Sequence, residues 1–213
     1  MAAIRAVLFD LDGVLIDSYR LWFHLLNDAA RHFNYPAIDE QRFHDTWGQG
    51  IEADIEAFYP GLTVSQLSRY FSDHYANFLE HIELIPGALE AIQAVKGLHT
   101  GTGKRRLTGV LTNSQGGLAR RVLELKGLLP YLDRVLGADD AGCSKPDPRG
   151  MLKLCRQLGV KPTEALMVGD SAYDEDAAKA AGVPFVGYKR NSRYNIKELQ
   201  GLRPFVEWLE FNG

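Results

Sequence analysis

Cysteine is scarce, with two residues in 213. Cys143 and Cys155 are too few for a disulfide framework and stand outside the C-x-x-C spacing of a zinc site. Both are therefore expected as free thiols, Cys143 the more exposed. Neither sign of charge dominates: 24 basic side chains face 27 acidic ones, for a formal charge of -3 and a pI near 6.1. That balance leaves no electrostatic footprint for nucleic acid or an anionic membrane. No run approaches the roughly 20 apolar residues of a membrane span, and no basic stretch leads into an apolar signal core. Internal repeats and low-complexity tracts are absent as well. What is present is an ordinary globular balance, 46% hydrophobic and 24% charged. The expectation is a soluble, cytoplasmic protein with a small-molecule partner.

Five short apolar, β-branched runs are spread along the chain: Ile4 to Phe9, Leu107 to Leu111, Arg134 to Leu136, Ala165 to Val168 and Pro184 to Val186. Helical stripes separate them, as in Leu118, Val122 and Leu125, or in Met151, Leu154, Cys155 and Leu158. Strands alternating with helices predict an α/β fold, a Rossmann-like doubly wound parallel sheet covered on both faces.

About 97 residues separate the first two runs, where a helical crossover needs only a dozen or so. The excess is helical in pattern: Leu21, Leu25, Ala29 and Phe33 form one stripe, Ile51, Ile55 and Phe58 a second, and Leu67, Phe71, Tyr75, Phe78 and Ile82 a third. Residues 17–84 are thus predicted to be an inserted α-helical domain, with 1–16 and 85–213 forming the sheet domain. Trp22, Phe23, Phe71 and Phe78 read as its core, and the histidines His24, His32, His44, His74 and His81 lack metal-ligand spacing. Gly101-Thr102-Gly103-Lys104 suggests a phosphate loop, but Leu98 and Arg105 occupy positions where that motif needs Gly and Ser or Thr. It is expected to be a solvated connector at the wrong edge of the sheet. Arg203 to Phe211 is expected to be a terminal helix packing Phe205, Trp208 and Leu209 on the sheet.

Chemistry gathers at the strand ends. Asp10-Leu11-Asp12-Gly13 follows the first run, and residues two apart in an extended chain point to the same side. Two acids held together will not ionise alike, so one can attack while the other carries a proton; the same residues also make an ordinary turn. Thr112-Asn113-Ser114 ends the second strand with a hydroxyl, an amide and backbone N–H groups at a helix entry, a seat for an anion or simply an N-cap. In Ser144-Lys145-Pro146-Asp147-Pro148 the prolines stiffen the backbone beside one lysine. Gly169-Asp170-Ser171-Ala172-Tyr173-Asp174 offers two acids, either helix-start charges or hard oxygen ligands for Mg2+.

In this order, the four strand ends resemble the four motifs of the haloacid dehalogenase-like phosphatase superfamily. The stretches Phe-Asp-Leu-Asp-Gly-Val-Leu-Ile-Asp-Ser, Ser-Lys-Pro-Asp-Pro and Val-Gly-Asp-Ser are most similar to its phosphoglycolate phosphatase and β-phosphoglucomutase branch. The resemblance runs from Ile4 to about Tyr188 and includes a helical cap after the first motif. It implies an aspartyl-phosphate mechanism: Asp10 as nucleophile, Asp12 as acid and base, Thr112, Asn113 and Lys145 on the phosphoryl oxygens, and Mg2+ held by Asp10, the Asp12 carbonyl, Asp170 and Asp174. The cap loop Asp45-Thr46-Trp47-Gly48-Gln49-Gly50 looks like the specificity loop of that branch, which nominates Gly48 and Gly50, with His44 beside them, as substrate contacts.

Charge counting points to the metal independently. With Asp12 protonated, three carboxylates against Lys145 leave a site charge of about -2, facing a phosphate of similar charge. At an effective dielectric of about 20, each unit pair at ~4 Å is worth about 4 kcal/mol, and one Mg2+ removes the repulsion. The expected enzyme is a Mg2+-dependent phosphatase for a small phosphomonoester. Halide displacement needs no second acid, so Asp12 argues against a carbon–halogen hydrolase. A phosphosugar mutase shares the same core and stays open. A phospho-acceptor receiver would place its acids before the lysine, whereas Asp170 and Asp174 follow it; a non-catalytic binding protein with this fold stays open too.

Overall fold

The structure is a computed structural model, and it describes residues 3–98, 103, 105–189, 192–201, 203–205 and 207. Its strands are β1 (Ala6–Phe9), β2 (Ile16–Asp17), β3 (Glu83–Leu84), β4 (Leu107–Leu111), β5 (Arg134–Leu136), β6 (Ala165–Gly169), β7 (Phe185–Tyr188) and β8 (Asn195–Ile196). The helices are α1 (Tyr19–His32), α2 (Glu40–Asp45), α3 (Ile51–Phe58), α4 (Val64–His74), α5 (Ala88–Gly97), α6 (Gly116–Leu125), α7 (Ala138–Ala141), α8 (Arg149–Leu158) and α9 (Ala172–Ala181).

Six strands form one parallel sheet in the order β5-β4-β1-β6-β7-β8. The central strands are apolar without interruption because both of their faces are buried. Val7 and Phe9 of β1, with Leu166 and Val168 of β6, pack into the core on one face, while Ala6, Leu8, Ala165 and Met167 pack on the other. Within that second layer Met151, Leu154, Cys155 and Leu158 of α8 all turn inward, as their spacing predicts. On α6 the stripe is shorter than predicted: Leu118 and Val122 are buried, but Leu125 is 61% exposed, and Ala119 and Leu123 complete the face. Leu125 is the last residue of α6.

The long segment after β1 folds into α1 to α4 and a 3-10 stretch over Tyr75–His81. Trp22 meets Phe71 and Tyr75 edge-on at 5.5 and 5.6 Å, and Tyr19 meets Phe43 at 4.8 Å. A capping box between Thr63 and Gln66 starts α4. The chain enters and leaves this segment through an antiparallel ribbon in which Ile16 pairs with Leu84 and Asp17 with Glu83. Two-residue strands carry no periodic signal, which is why the ribbon was not legible in the sequence; β8 escaped for the same reason.

In the predicted connector before β4, Gly97, Gly103 and Arg105 are exposed, as expected, and burial begins at its last residue. Arg106 is fully buried with its Nε donating to the Ile4 carbonyl at 2.9 Å, and Arg105 pairs with Asp133 at 2.9 Å. Gly101, Thr102 and Lys104 lie outside the described residues, as do Trp208 and Leu209 of the predicted terminal helix; Phe205 packs against Tyr194 at 5.6 Å. Among the described residues, no helix is long and apolar enough to cross a membrane.

Candidate active site

The three adjacent strands β4, β1 and β6 end at one edge of the sheet, which sets Thr112, Asp10 and Asp170 side by side. This is the carboxyl edge, where ligands of open α/β sheets bind. Lys145 reaches the same point from the loop before α8. Its Nζ lies 2.8 Å from Asp10 Oδ1 and 2.6 Å from Asp174 Oδ1, and it donates to the Leu111 carbonyl at 3.3 Å. Asp10, Lys145 and Asp174 are all buried. Although burial opposes the charge of Lys145, the two carboxylates hold it above the ordinary lysine range, so it is an ammonium. Burial, followed by the Asp174 carboxylate, holds Asp10 well above the usual carboxylate range against the opposing pull of Lys145.

One oxygen from each of Asp10, Asp170 and Asp174 lies within 4.8 Å of the others. Asp170 Oδ1 is buried without a hydrogen-bond partner among the described residues. Burial and the neighbouring Asp174 push this carboxyl up to about 7. An unpartnered buried carboxylate oxygen is costly, and a hard cation bound by oxygen ligands would satisfy it. Asp174 is less free: Oδ1 faces Lys145, and Oδ2 accepts from Ser171 Oγ at 2.5 Å and Ser171 N at 3.1 Å. It is at once the N3 member of the capping box that starts α9 and a member of the acidic cluster, so both sequence readings of this acid apply.

Asp12 faces the same space but belongs to a different network. Its Oδ1 accepts from Ser18 Oγ at 2.5 Å and Trp22 Nε1 at 3.0 Å, and its Oδ2 accepts from Ser114 Oγ at 2.7 Å and Thr112 Oγ1 at 3.2 Å. Three of these partners are hydroxyls, which can donate to a carboxylate or turn to accept from a carboxyl; only the indole is donor alone. The surroundings therefore suit both protonation states. Ser18 and Trp22 were missed in the sequence, where Trp22 read purely as core. Its ring does pack among Phe71 and Tyr75, yet its N–H points out of that cluster to Asp12, and a buried indole N–H in search of an acceptor was the available signal.

Asn113 is placed differently from expectation. Its Nδ2 donates to the carbonyls of Gly48 and Lys145 at 3.0 and 3.1 Å, and its Oδ1 accepts from Lys145 N at 2.6 Å. The side chain thus staples three loops together and is not free to grip an anion. The loop after α2 touches the sheet edge here. A Cβ on Gly48 would come within 3.2 Å of Ser171 Cβ, and one on Gly50 within 2.3 Å of Ser144 Oγ, so both glycines permit close docking. His44 is not brought to the site: its side chain is 71% exposed beside Asp45. A cavity of about 310 Å³ opens between the sheet edge and the helical segment, bordered by Asp10, Asp12, Thr112 and Lys145 on one side and by Trp22, Gln49, Asp54 and Phe71 on the other.

Comparison with known proteins agrees with this geometry. A family model described as haloacid dehalogenase-like hydrolase matches residues 7–188. Phosphoglycolate phosphatase from Rhodospirillum rubrum is 34% identical, the match covering 97% of this chain and 91% of that protein. The phosphoglycolate phosphatase of Chromobacterium violaceum is 31% identical over 84% of this chain and 82% of its own. Among solved structures, a haloacid dehalogenase superfamily hydrolase from Geobacter sulfurreducens superposes with a TM-score of 0.76 at 28% identity, covering 97% of this chain and all of the other.

Two outcomes follow from the site geometry. Gly13 has φ +81°, and a Cβ there would fall 2.0 Å from Asp170 Oδ2. Gly13→Ala is expected to displace Asp170 and to lower kcat/KM for an aryl phosphate by about tenfold or more, with a loss of stability from the positive φ; steady-state kinetics and thermal melting read the two effects. Asp54, in the cavity wall, is pushed up to about 7 by burial, against the donor from Gln49. The folded protein therefore keeps a proton that the unfolded chain gives up above the ordinary carboxyl range. Stability from this group is full at low pH and falls as pH rises towards 7. Urea unfolding at about pH 5 and about pH 8 should show a smaller pH-dependent loss in Asp54→Asn than in wild type.

Proposed function

The chain belongs to the haloacid dehalogenase-like hydrolase family and is a phosphoric monoester hydrolase, and we propose that it works through an aspartyl phosphate on Asp10 with Mg2+ as its metal. The observation that carries this reading is the pairing of Lys145 with Asp10 at 2.8 Å beside the orphaned oxygen of Asp170. A nucleophile, its counter-ion and a carboxylate oxygen with no hydrogen-bond partner among the described residues then share one strand edge.

In this reading the Asp10 carboxylate attacks phosphorus as the bond to the ester oxygen breaks, and Asp12 gives its proton to the departing alkoxide. The deprotonated Asp12 then takes a proton from water, whose oxygen attacks the phosphorus of the aspartyl phosphate. Inorganic phosphate leaves and Asp10 is restored. Lys145 holds Asp10 in line and balances charge on the phosphoryl oxygens. The Thr112 hydroxyl and the backbone N–H of Asn113 bind those oxygens, in place of the Asn113 amide. Asp10, Asp170 and the Asp12 carbonyl would hold the ion, with Asp174 joining through a remaining lone pair or a water. When bound, Mg2+ offsets the acidic charge and polarises the transferring group.

Residues 17–84 serve in this reading as a cap on the sheet domain formed by 1–16 and 85–213. Closing it excludes bulk water from the reacting centre. Trp22 ties the two parts together, because it reaches Asp12 from α1. The substrate is a small phosphomonoester handled in the cytoplasm.

Asp10→Asn is expected to lower turnover of p-nitrophenyl phosphate by about a thousandfold or more, since an amide cannot become the acyl phosphate. Acid-quenched wild type should carry a base-labile phosphoryl label that the variant lacks. Excess chelator should abolish turnover and added Mg2+ restore it; full activity in chelator would remove the metal from the proposal.

A further inference from the structure

The wall of the cavity opposite the acid pair is unsuited to a second anion. Lys145 is the sole basic side chain around the cavity among the described residues, and it is already bound between Asp10 and Asp174. The helical segment contributes two further carboxyls, Asp54 and Glu52. Asp54 Oδ1 accepts from Gln49 Nε2 at 2.7 Å, and Glu52 accepts from Ser144 Oγ at 3.1 Å. Asp54 has no cation beside it, and its second oxygen has no hydrogen-bond partner among the described residues. Gln49 and Ser68 supply further polar groups, and Leu26, Phe43 and Phe71 the apolar surface. The basic residues of the same segment point elsewhere, with Arg42 over the Phe58 ring and bonded to the Ala57 carbonyl, and His44 in solvent.

Resting on the phosphatase reading above, we infer that Asp54, held by Gln49, is a specificity residue that selects phosphomonoesters whose organic part carries hydroxyl or other hydrogen-bond donors, and rejects those bearing a carboxylate. The reason is electrostatic. A metal at the sheet edge is answered by the substrate's phosphoryl group and leaves the far wall acidic, so a carboxylate placed there meets like charge with no cation to receive it. A hydroxyl placed there donates to the open Asp54 oxygen. Burial pushes Asp54 up to about 7, so the like charge that rejects a carboxylate is present above that pH, whereas a hydroxyl is served by either form, the carboxylate accepting and the acid donating. Sugar and polyol phosphates fit this wall, and phosphoglycolate, for which the two phosphatase relatives are named, does not.

Matched pairs of esters test the inference: 2-hydroxyethyl phosphate against phosphoglycolate, and glycerol 3-phosphate against 3-phosphoglycerate, each pair differing by a hydroxymethyl group in place of a carboxylate. At about pH 8, where Asp54 is ionised, wild type in Mg2+ should show a kcat/KM at least about tenfold higher for the hydroxyl member, equivalent to about 1.4 kcal/mol. Asp54→Asn should narrow that ratio chiefly by raising the carboxylate member, and Asp54→Ser serves if the amide does not fold. A wild-type preference for the carboxylates, or a ratio unchanged in the folded variants, overturns the inference while leaving the phosphatase reading intact. Should no ester be turned over, the phosphatase reading fails instead. Calorimetric binding of the same pairs to wild type then decides the subsite, tighter binding of the hydroxyl member supporting it and equal or weaker binding overturning it.

Discussion

The contact on which this molecule's arrangement turns is the buried ammonium of Lys145 held between Asp10 and Asp174. A buried charge is tolerated only when paired and hydrogen-bonded, and here each partner comes from a different part of the chain. Asp10 ends β1, Asp174 starts α9, and Lys145 arrives from the loop before α8 with its backbone clamped by Asn113. Breaking the triad would strand charge inside the protein, so the ion pairs lock three loops into one register. Asp170 stands beside the triad with one oxygen that has no partner among the described residues.

Asp12 lies only two residues from Asp10 and is treated in the opposite manner. Asp10 is committed to a fixed cation in a dry setting, whereas Asp12 is ringed by hydroxyls that accommodate either protonation state. Two carboxyls on neighbouring positions acquire different chemistry from their surroundings alone. Because Trp22 belongs to α1 and Ser114 to the sheet edge, the Asp12 network also spans the boundary between the helical segment and the sheet. The cavity forms across that boundary, one wall carrying Asp10, Asp12, Thr112 and Lys145 and the other acidic, polar and partly apolar.

The sheet was legible because fully buried strands need unbroken apolar runs, as Ala6 to Phe9 and Ala165 to Val168 supply. The strand ends were equally legible, since Asp10, Thr112 and Asp170 follow those runs abruptly, whereas Lys145 arrives from the loop between α7 and α8. Less visible were features that depend on a single hydrogen bond across the fold. Trp22 has the composition of a core residue and the contacts of one, and only its N–H reveals the link to Asp12. Asn113 reads as an anion ligand from its neighbours, yet its amide matches the backbone of two other loops better. His44 stands near the Gly48 loop in sequence, but the helix turns it into solvent, as proximity along a helix does not set a residue's face.

Sequence alone determined the doubly wound sheet, the helical segment after its first strand and the acid pair at Asp10 and Asp12, because periodicity and abrupt polar punctuation are properties of neighbouring residues. Tertiary structure alone decided which carboxylate Lys145 neutralises, which oxygen of Asp170 goes without a partner, and that Asp54 stands in the cavity wall with no cation beside it. Those outcomes depend on distance and burial between segments remote in the chain, and electrostatic energy is set by separation and local dielectric, neither of which a linear order of residues contains.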